Sequence, residues 1–269
     1  MLTIEEVRFG QGGSGYLAWP TRARAPLPAV VVLHEAAGLD DHVVDVTRRV
    51  AAAGYVALAP DLYARDSIRP EALTRERIEP MVAVLDELPF AQAMDPAARA
   101  AAFEAHAPGD AARLQETCDA MFAAAADVGD LLPTALAAVR YLRDEVDASR
   151  GQPVAALGFC MGGTLVGRVA AADPALAAAV VFYGRAPGDD EVAAIRCPVL
   201  GCYGEDDPRV NASVDGLEAA ATRHGVAFTR VVHAGAGHAF FNDTRSTYVV
   251  GAARAAWVRT LGFLLEHLT

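Results

Sequence analysis

The sequence predicts an α/β fold, with a mainly parallel central sheet covered by helices on both faces. Three observations predict it. Short apolar runs recur along the chain without polar alternation, such as Pro28-Ala29-Val30-Val31-Val32-Leu33-His34, and strands buried on both faces read this way. Helical patterns with one apolar side separate those runs, and repeated strand–helix units imply parallel pairing. The chain has 269 residues, of which 53% are hydrophobic, enough core for one large domain rather than two small ones. A single domain over residues 1–269 is therefore expected.

Taken in order, Tyr16-Leu17-Ala18-Trp19-Pro20 reads as a strand after a glycine-rich hairpin turn. The strand at 28–34 follows. Asp40 or Asp41 caps a helix running to about Ala53, and Gly54 supplies its C-terminal stop. Tyr55-Val56-Ala57-Leu58-Ala59-Pro60 is the next strand. An amphipathic helix over about 131–146 puts Leu131, Ala135, Ala138, Val139 and Leu142 on one face. A strand at 153–157 leads through a glycine-rich turn into a helix reaching about Ala172. Strands at 178–183 and 198–203, a helix near 212–224, a strand at 226–232 and a helix over about 247–268 complete the order.

The stretch 64–127 breaks this rhythm. It carries Pro70, Pro80, Pro89, Pro96 and Pro108, many alanines, short helical patterns and no strong strand. It reads as helical excursions over the sheet. A lid beside the pocket and a solvent-facing insertion are the two roles open to it.

Composition narrows the function. A net charge of -11 argues against nucleic acid or anionic membranes as main partners. No apolar run reaches the ~18 residues of a membrane helix. The start, Met1-Leu2-Thr3-Ile4-Glu5-Glu6, has no basic segment leading into an apolar one. Cys118, Cys160, Cys197 and Cys202 are irregularly spaced, which suggests a reducing, cytoplasmic setting rather than a disulfide framework.

The most informative motif is Gly158-Phe159-Cys160-Met161-Gly162-Gly163, at the end of the apolar run Val154-Ala155-Ala156-Leu157. It is the G-x-S-x-G elbow pattern with cysteine in the serine position. Such a turn holds one side chain in a strained, exposed position above a sheet. The following helix aims its N-terminal dipole at the sulfur and favours thiolate. A cysteine merely packed beside a glycine-rich strand end is the alternative.

Two further residues complete a nucleophilic set. Tyr203-Gly204-Glu205-Asp206-Asp207-Pro208 follows a strand, and an acid there can orient an imidazole. Asp207 is preferred because Gly-x-x-Asp with Val210 three later resembles the acid loop of α/β hydrolases; Asp206 is the runner-up. His238 lies among small residues in Gly235-Ala236-Gly237-His238-Ala239-Phe240. His233 competes but lies nearer the strand, and His34, His42, His106, His224 and His267 lack a comparable setting. The order Cys…Asp…His is the one this elbow fold uses. In that scheme His238 takes the thiol proton and Asp207 fixes the imidazole tautomer. The amides of Met161 and, from the loop after the 28–34 strand, Ala36 supply the oxyanion hole.

That loop reads His34-Glu35-Ala36-Ala37-Gly38-Leu39. Together with Pro60-Asp61-Leu62-Tyr63-Ala64-Arg65, the cysteine elbow, Val128-Gly129-Asp130-Leu131 and Gly237-His238-Ala239-Phe240, it resembles the dienelactone hydrolase family. The resemblance runs from about residue 15 to the C-terminus, with a looser middle over 66–127. It implies an α/β-hydrolase fold, no metal or cofactor, and hydrolysis of a small activated ester or lactone through a thioester acyl-enzyme. Carried over, Cys160 matches the nucleophile, Asp207 the acid and His238 the base. Glu35 matches a glutamate near the nucleophile that helps control its ionisation. Members acting on dienelactone hold a substrate carboxylate with arginines. One follows the catalytic histidine by four positions, where this chain has Asn242; Arg245 is near, and Arg113 is the closest counterpart of the other. A carboxylate-bearing substrate, held more weakly, is the expectation.

Other motifs point elsewhere and fail on context. Gly10-Gln11-Gly12-Gly13-Ser14-Gly15 fits G-x-G-x-x-G, and Glu35 lies 20 residues past Gly15, but a strand follows instead of a helix. His34-Glu35 starts like a zinc helix, yet residue 38 is Gly. Cys197 and Cys202 lie along one strand and make poor joint ligands. A thiol-dependent acyltransferase or peptidase on this fold, and a non-catalytic sensor, are the competing functions.

Overall fold

A computed structural model describes residues 1–10, 12–24 and 26–268. Its strands are β1 (Leu2–Phe9), β2 (Gly13–Pro20), β3 (Ala29–Leu33), β4 (Val56–Pro60), β5 (Val154–Phe159), β6 (Ala178–Phe182), β7 (Val199–Gly204) and β8 (Phe228–His233). They form one sheet in the order β1-β2-β4-β3-β5-β6-β7-β8. The six strands from β4 to β8 run parallel, and the β1–β2 hairpin adds an antiparallel edge. The glycine-rich motif is that hairpin's turn; Gln11 itself lies outside the described residues.

Two helices lie on one face: α1 (Asp41–Ala52) and the last helix, Val250–His267. The helical segment comprises α2 (Arg75–Asp86), α3 (Phe90–Ala93), α4 (Pro96–His106) and α5 (Ala111–Ala126), and no named strand occurs within it. Then come α6 (Leu132–Asp144), α7 (Met161–Ala172), α8 (Asp189–Ala194) and α9 (Pro208–His224), which makes the last helix α10. Helices α6, α7 and α9 pack on the opposite face, and α2, α4 and α5 extend that layer.

The apolar strands divide their side chains by the period of two. Val31, Leu33 and Ala156 join the α6–α7 side, whereas Val30, Val32 and Leu157 join the α1–α10 side. Both sides are buried, so every position must be apolar.

Of the two caps open to α1, Asp40 is the one used, accepting the Val43 amide at 3.1 Å. Two boundaries differ from the sequence reading, and each has a local cause. The helix expected from 131 begins with a 3-10 turn at Val128–Leu131, because Asp127 accepts the Gly129 amide and tightens it. Helix α9 starts at Pro208 rather than near 212, with Asp207 as its cap and Pro208 at N1, where its missing N–H costs nothing.

The topology fixes where a site can form. Strand β4 lies to one side of β3 and β5 to the other, so the direction of winding reverses between β3 and β5. Their carboxyl ends stand side by side, Leu33 opposite Gly158. Loops leaving adjacent strands at such a switch point diverge and open a crevice. Among the described residues no single helix is long and apolar enough to cross a membrane.

Candidate active site

Strand β5 ends at Phe159 and α7 begins at Met161, so Cys160 alone makes the turn. Its φ of 51° and ψ of -110° lie where non-glycine residues are rare. The neighbours enforce this. The Cys160 amide donates to the Phe182 carbonyl at 3.0 Å. A Cβ on Gly162 would run into the Leu33 and His34 carbonyls, so only glycine lets α7 start this close to β3. Cys160 is half-buried, while Cys118, Cys197 and Cys202 are buried. Burial pushes those three thiols up, to about 11, 11 and 12.

The β8–α10 connection brings His238 over the sulfur. Its Nε2 lies 3.1 Å from Cys160 Sγ. Its Nδ1 lies 2.6 Å from Asp207 Oδ2, and because a carboxylate only accepts, Nδ1 carries a proton. Asp207 is 2% exposed and uses its other oxygen to accept the Val210 amide at 3.3 Å. Asp206 faces solvent. His233, at the end of β8, packs tilted against Phe240 and makes no hydrogen bond to Cys160 or Asp207 among the described residues. Burial alone would lower the His238 pKa. The contacts with Cys160 and Asp207 outweigh it and hold the imidazole up at about 10. Tyr183 and Phe90 flank the ring, with centroids 5.2 and 5.3 Å away.

Glu35 leaves the end of β3 into the same crevice. Its two oxygens are engaged by other groups: the Tyr183 hydroxyl donates to Oε1 at 2.9 Å, and Asn242 Nδ2 to Oε2 at 2.8 Å. Among the described residues it makes no hydrogen bond to Cys160. Burial and this carboxylate push the Tyr183 hydroxyl well above its ordinary range. The next residue, Ala36, lines the cavity with Met161, and neither amide donates a hydrogen bond to another described residue.

The cavity above the sulfur holds about 500 Å³. The helical segment supplies its apolar wall, including Val82, Leu85, Phe90, Met121 and Phe122. Arg245 lines it too and lies 3.6 Å from Asp40. Arg113 does not line it; this arginine is more than half exposed and pairs with Asp110 on its own helix. Asn242 is fully buried and also lies outside the lining.

Sequence reasoning missed several residues that converge here. Tyr183, with φ 40°, and Phe90 carry no motif. Arg185, from the loop after β6, and Arg209, in the first turn of α9, line the cavity and resemble any surface arginine in the sequence. His34 has no comparable setting in the sequence, and the Leu62 amide that meets its ring comes from the loop after β4.

The comparisons with known proteins agree with this architecture. A candidate carboxymethylenebutenolidase of Saccharolobus solfataricus is 30% identical over 269 residues, covering 97% of each chain. A Bradyrhizobium protein named as a candidate 2-oxo-3-(5-oxofuran-2-ylidene)propanoate lactonase is 28% identical, covering 99% of this chain and 96% of its own. The crystal structure of a candidate dienelactone hydrolase from Klebsiella pneumoniae superposes with a TM-score of 0.65 at 26% identity, covering 99% of each chain. The model of the dienelactone hydrolase family matches residues 14–268. The chain therefore belongs to the dienelactone hydrolase family and has its α/β-hydrolase fold.

Proposed function

We propose that this protein hydrolyses carboxylic esters or lactones through Cys160, by way of a thioester. One observation carries the reading: Cys160 Sγ, His238 and Asp207 form a single hydrogen-bonded line of 3.1 and 2.6 Å at the floor of a cavity. Family membership supports the ester and lactone class.

The thiol proton rests on His238 Nε2, and Asp207 balances the imidazolium. The thiolate attacks the substrate carbonyl carbon, and the π electrons move onto oxygen. That oxyanion meets the free amides of Ala36 and Met161. Collapse breaks the carbon–oxygen bond, and the leaving alkoxide takes the proton from His238. In a lactone the alkoxide stays tethered through the acyl chain. Neutral His238 then deprotonates water, which attacks the thioester, and the carbon–sulfur bond breaks to restore the thiolate. Glu35, fixed by Tyr183 and Asn242, adds a stationary negative charge that favours the imidazolium form.

The helical segment acts as the lid, because its apolar side chains roof the cavity. The substrate has an apolar body, and Arg245 is the group we assign to a substrate carboxylate. A working thiol at position 160 fits a reducing, cytoplasmic setting.

The test combines alkylation with turnover. Iodoacetamide should modify Cys160 first, and loss of ester and lactone hydrolysis should track that modification. Activity lost with Cys118 or Cys202 instead would overturn the reading. Product that partitions to added amine or alcohol in preference to water would turn it into acyl transfer.

A further inference from the structure

The Glu35–Ala36 peptide is held from behind by His34. This histidine follows β3 directly and is fully buried. Its Nε2 accepts the Leu62 amide at 3.1 Å. A ring nitrogen that accepts carries no proton, so the proton sits on Nδ1. Nδ1 lies 2.6 Å from the Glu35 carbonyl oxygen and donates to it. The Gly38 amide donates to the same oxygen at 3.0 Å. A trans peptide points its N–H opposite to its C=O, so fixing the Glu35 carbonyl fixes the Ala36 N–H. The following carbonyl, that of Ala36, accepts the Tyr63 hydroxyl at 2.7 Å. His34 packs edge-on against Tyr63, with centroids 5.1 Å apart. Two consecutive carbonyls are thus held from one side, while the Ala36 amide between them donates to no other described residue and Ala36 lines the cavity.

The geometry points to His34 as a positioning residue, whose Nδ1 proton sets the direction of the Ala36 N–H that receives the oxyanion. The assignment rests on the hydrolase reading above. Burial lowers the His34 pKa to about 4, so this neutral tautomer persists through neutral pH.

Two variants separate the ring's two bonds. His34→Asn keeps a donor near the Nδ1 position and gives up the acceptor for Leu62. His34→Gln keeps an acceptor at the reach of Nε2 and gives up the donor to Glu35. Each is assayed for kcat and KM with a p-nitrophenyl ester and for the rate of Cys160 alkylation. Each is also assayed for inhibition by an aldehyde, which adds the thiol across its carbonyl to give a tetrahedral hemithioacetal. Outright loss of an oxyanion donor costs ~10²–10³ in kcat, and misdirection costs less, so His34→Gln should lose about 10- to 100-fold. KM and alkylation should stay near their original values, and aldehyde affinity should fall with kcat. His34→Asn should recover most of the loss. Tyr63→Phe, which preserves packing, should show a smaller loss of the same kind and carries the test if a His34 variant does not fold.

Equal losses in both His34 variants would overturn the assignment. So would alkylation that falls in step with kcat, or aldehyde affinity that does not move. If the unaltered protein hydrolyses esters and His34→Gln matches it, only the His34 assignment falls. If the unaltered protein is alkylated at Cys160 yet turns over no ester or lactone, the hydrolase reading falls and takes His34 with it.

Discussion

The Asn242 amide donates to Glu35 Oε2 across a buried gap between loops 207 residues apart in the chain. Its own carbonyl oxygen accepts the Thr244 amide at 3.0 Å and the Thr244 hydroxyl at 2.7 Å. The amide therefore has one orientation, and both ends are occupied. Position 242 serves Glu35 and is closed to substrate.

Asn242→Leu should leave Glu35 with one donor in place of two. Removing a hydrogen bond to a buried charge costs about 1–3 kcal/mol. Urea unfolding should show a loss of that size, and KM for an anionic ester should not rise. A selective rise in KM for the anion would return position 242 to the substrate.

The two arginines singled out by spacing should now separate. Arg113→Met should leave KM unchanged for anionic and neutral esters alike, because Arg113 faces solvent and pairs within its helix. Arg245→Met should raise KM for an anionic ester roughly 3- to 10-fold more than for its methyl ester, a modest factor because Asp40 already shares the guanidinium. Equal effects on both esters would take Arg245 out of the site.

Titration of His238 should be unusual in a defined direction. Burial would lower the imidazole's pKa, but its contacts with Cys160 and Asp207 hold it up at about 10. The raised pKa keeps His238 protonated throughout neutral pH, and the proton leaves as pH rises through about 10. Hydrolysis should therefore fall on the alkaline side near that value, as the acid for the leaving alkoxide is lost. Cys160→Ser removes the sulfur from that contact, so NMR of the imidazole should show its midpoint moving down. A midpoint near 6.5 in the unaltered protein would remove the ion pair from the mechanism.

The sequence revealed the sheet because its strands are buried on both faces, and continuous apolar runs such as 153–157 leave little ambiguity. Cys160 was readable for the same reason that it is strained: glycines at 158, 162 and 163 are needed where α7 packs closely on β5, the end of β3 and the end of β6. The start of α9 is legible in Asp207-Pro208, an acid cap followed by proline at N1, four residues before the apolar periodicity of the helix sets in. The cavity wall was not readable. Leu85, Phe90 and Phe122 meet through tertiary packing of helices whose spacing carries no motif.

Phe90 offers the cleanest test of that wall. It stacks on His238 with an interplanar angle of 27°. Aromatic pairs contribute about 0.5–1.5 kcal/mol, so Phe90→Ala should lower kcat/KM roughly 2- to 10-fold. The loss should be larger for aryl or long-chain esters than for acetates, since the same ring roofs the substrate. A uniform loss across the series would confine Phe90 to holding the imidazole.

Asp207 faces two ways: one oxygen holds His238 and the other caps α9. Under the proposed mechanism, random change at this position would be screened twice, once by catalysis and once by folding. Asparagine can still cap a helix, so Asp207→Asn should yield a well-folded, nearly silent protein, whereas Asp207→Ala should also give up about 1 kcal/mol of stability. For anyone wishing to trap an acyl-enzyme, asparagine is the substitution that slows the chemistry and leaves the scaffold intact.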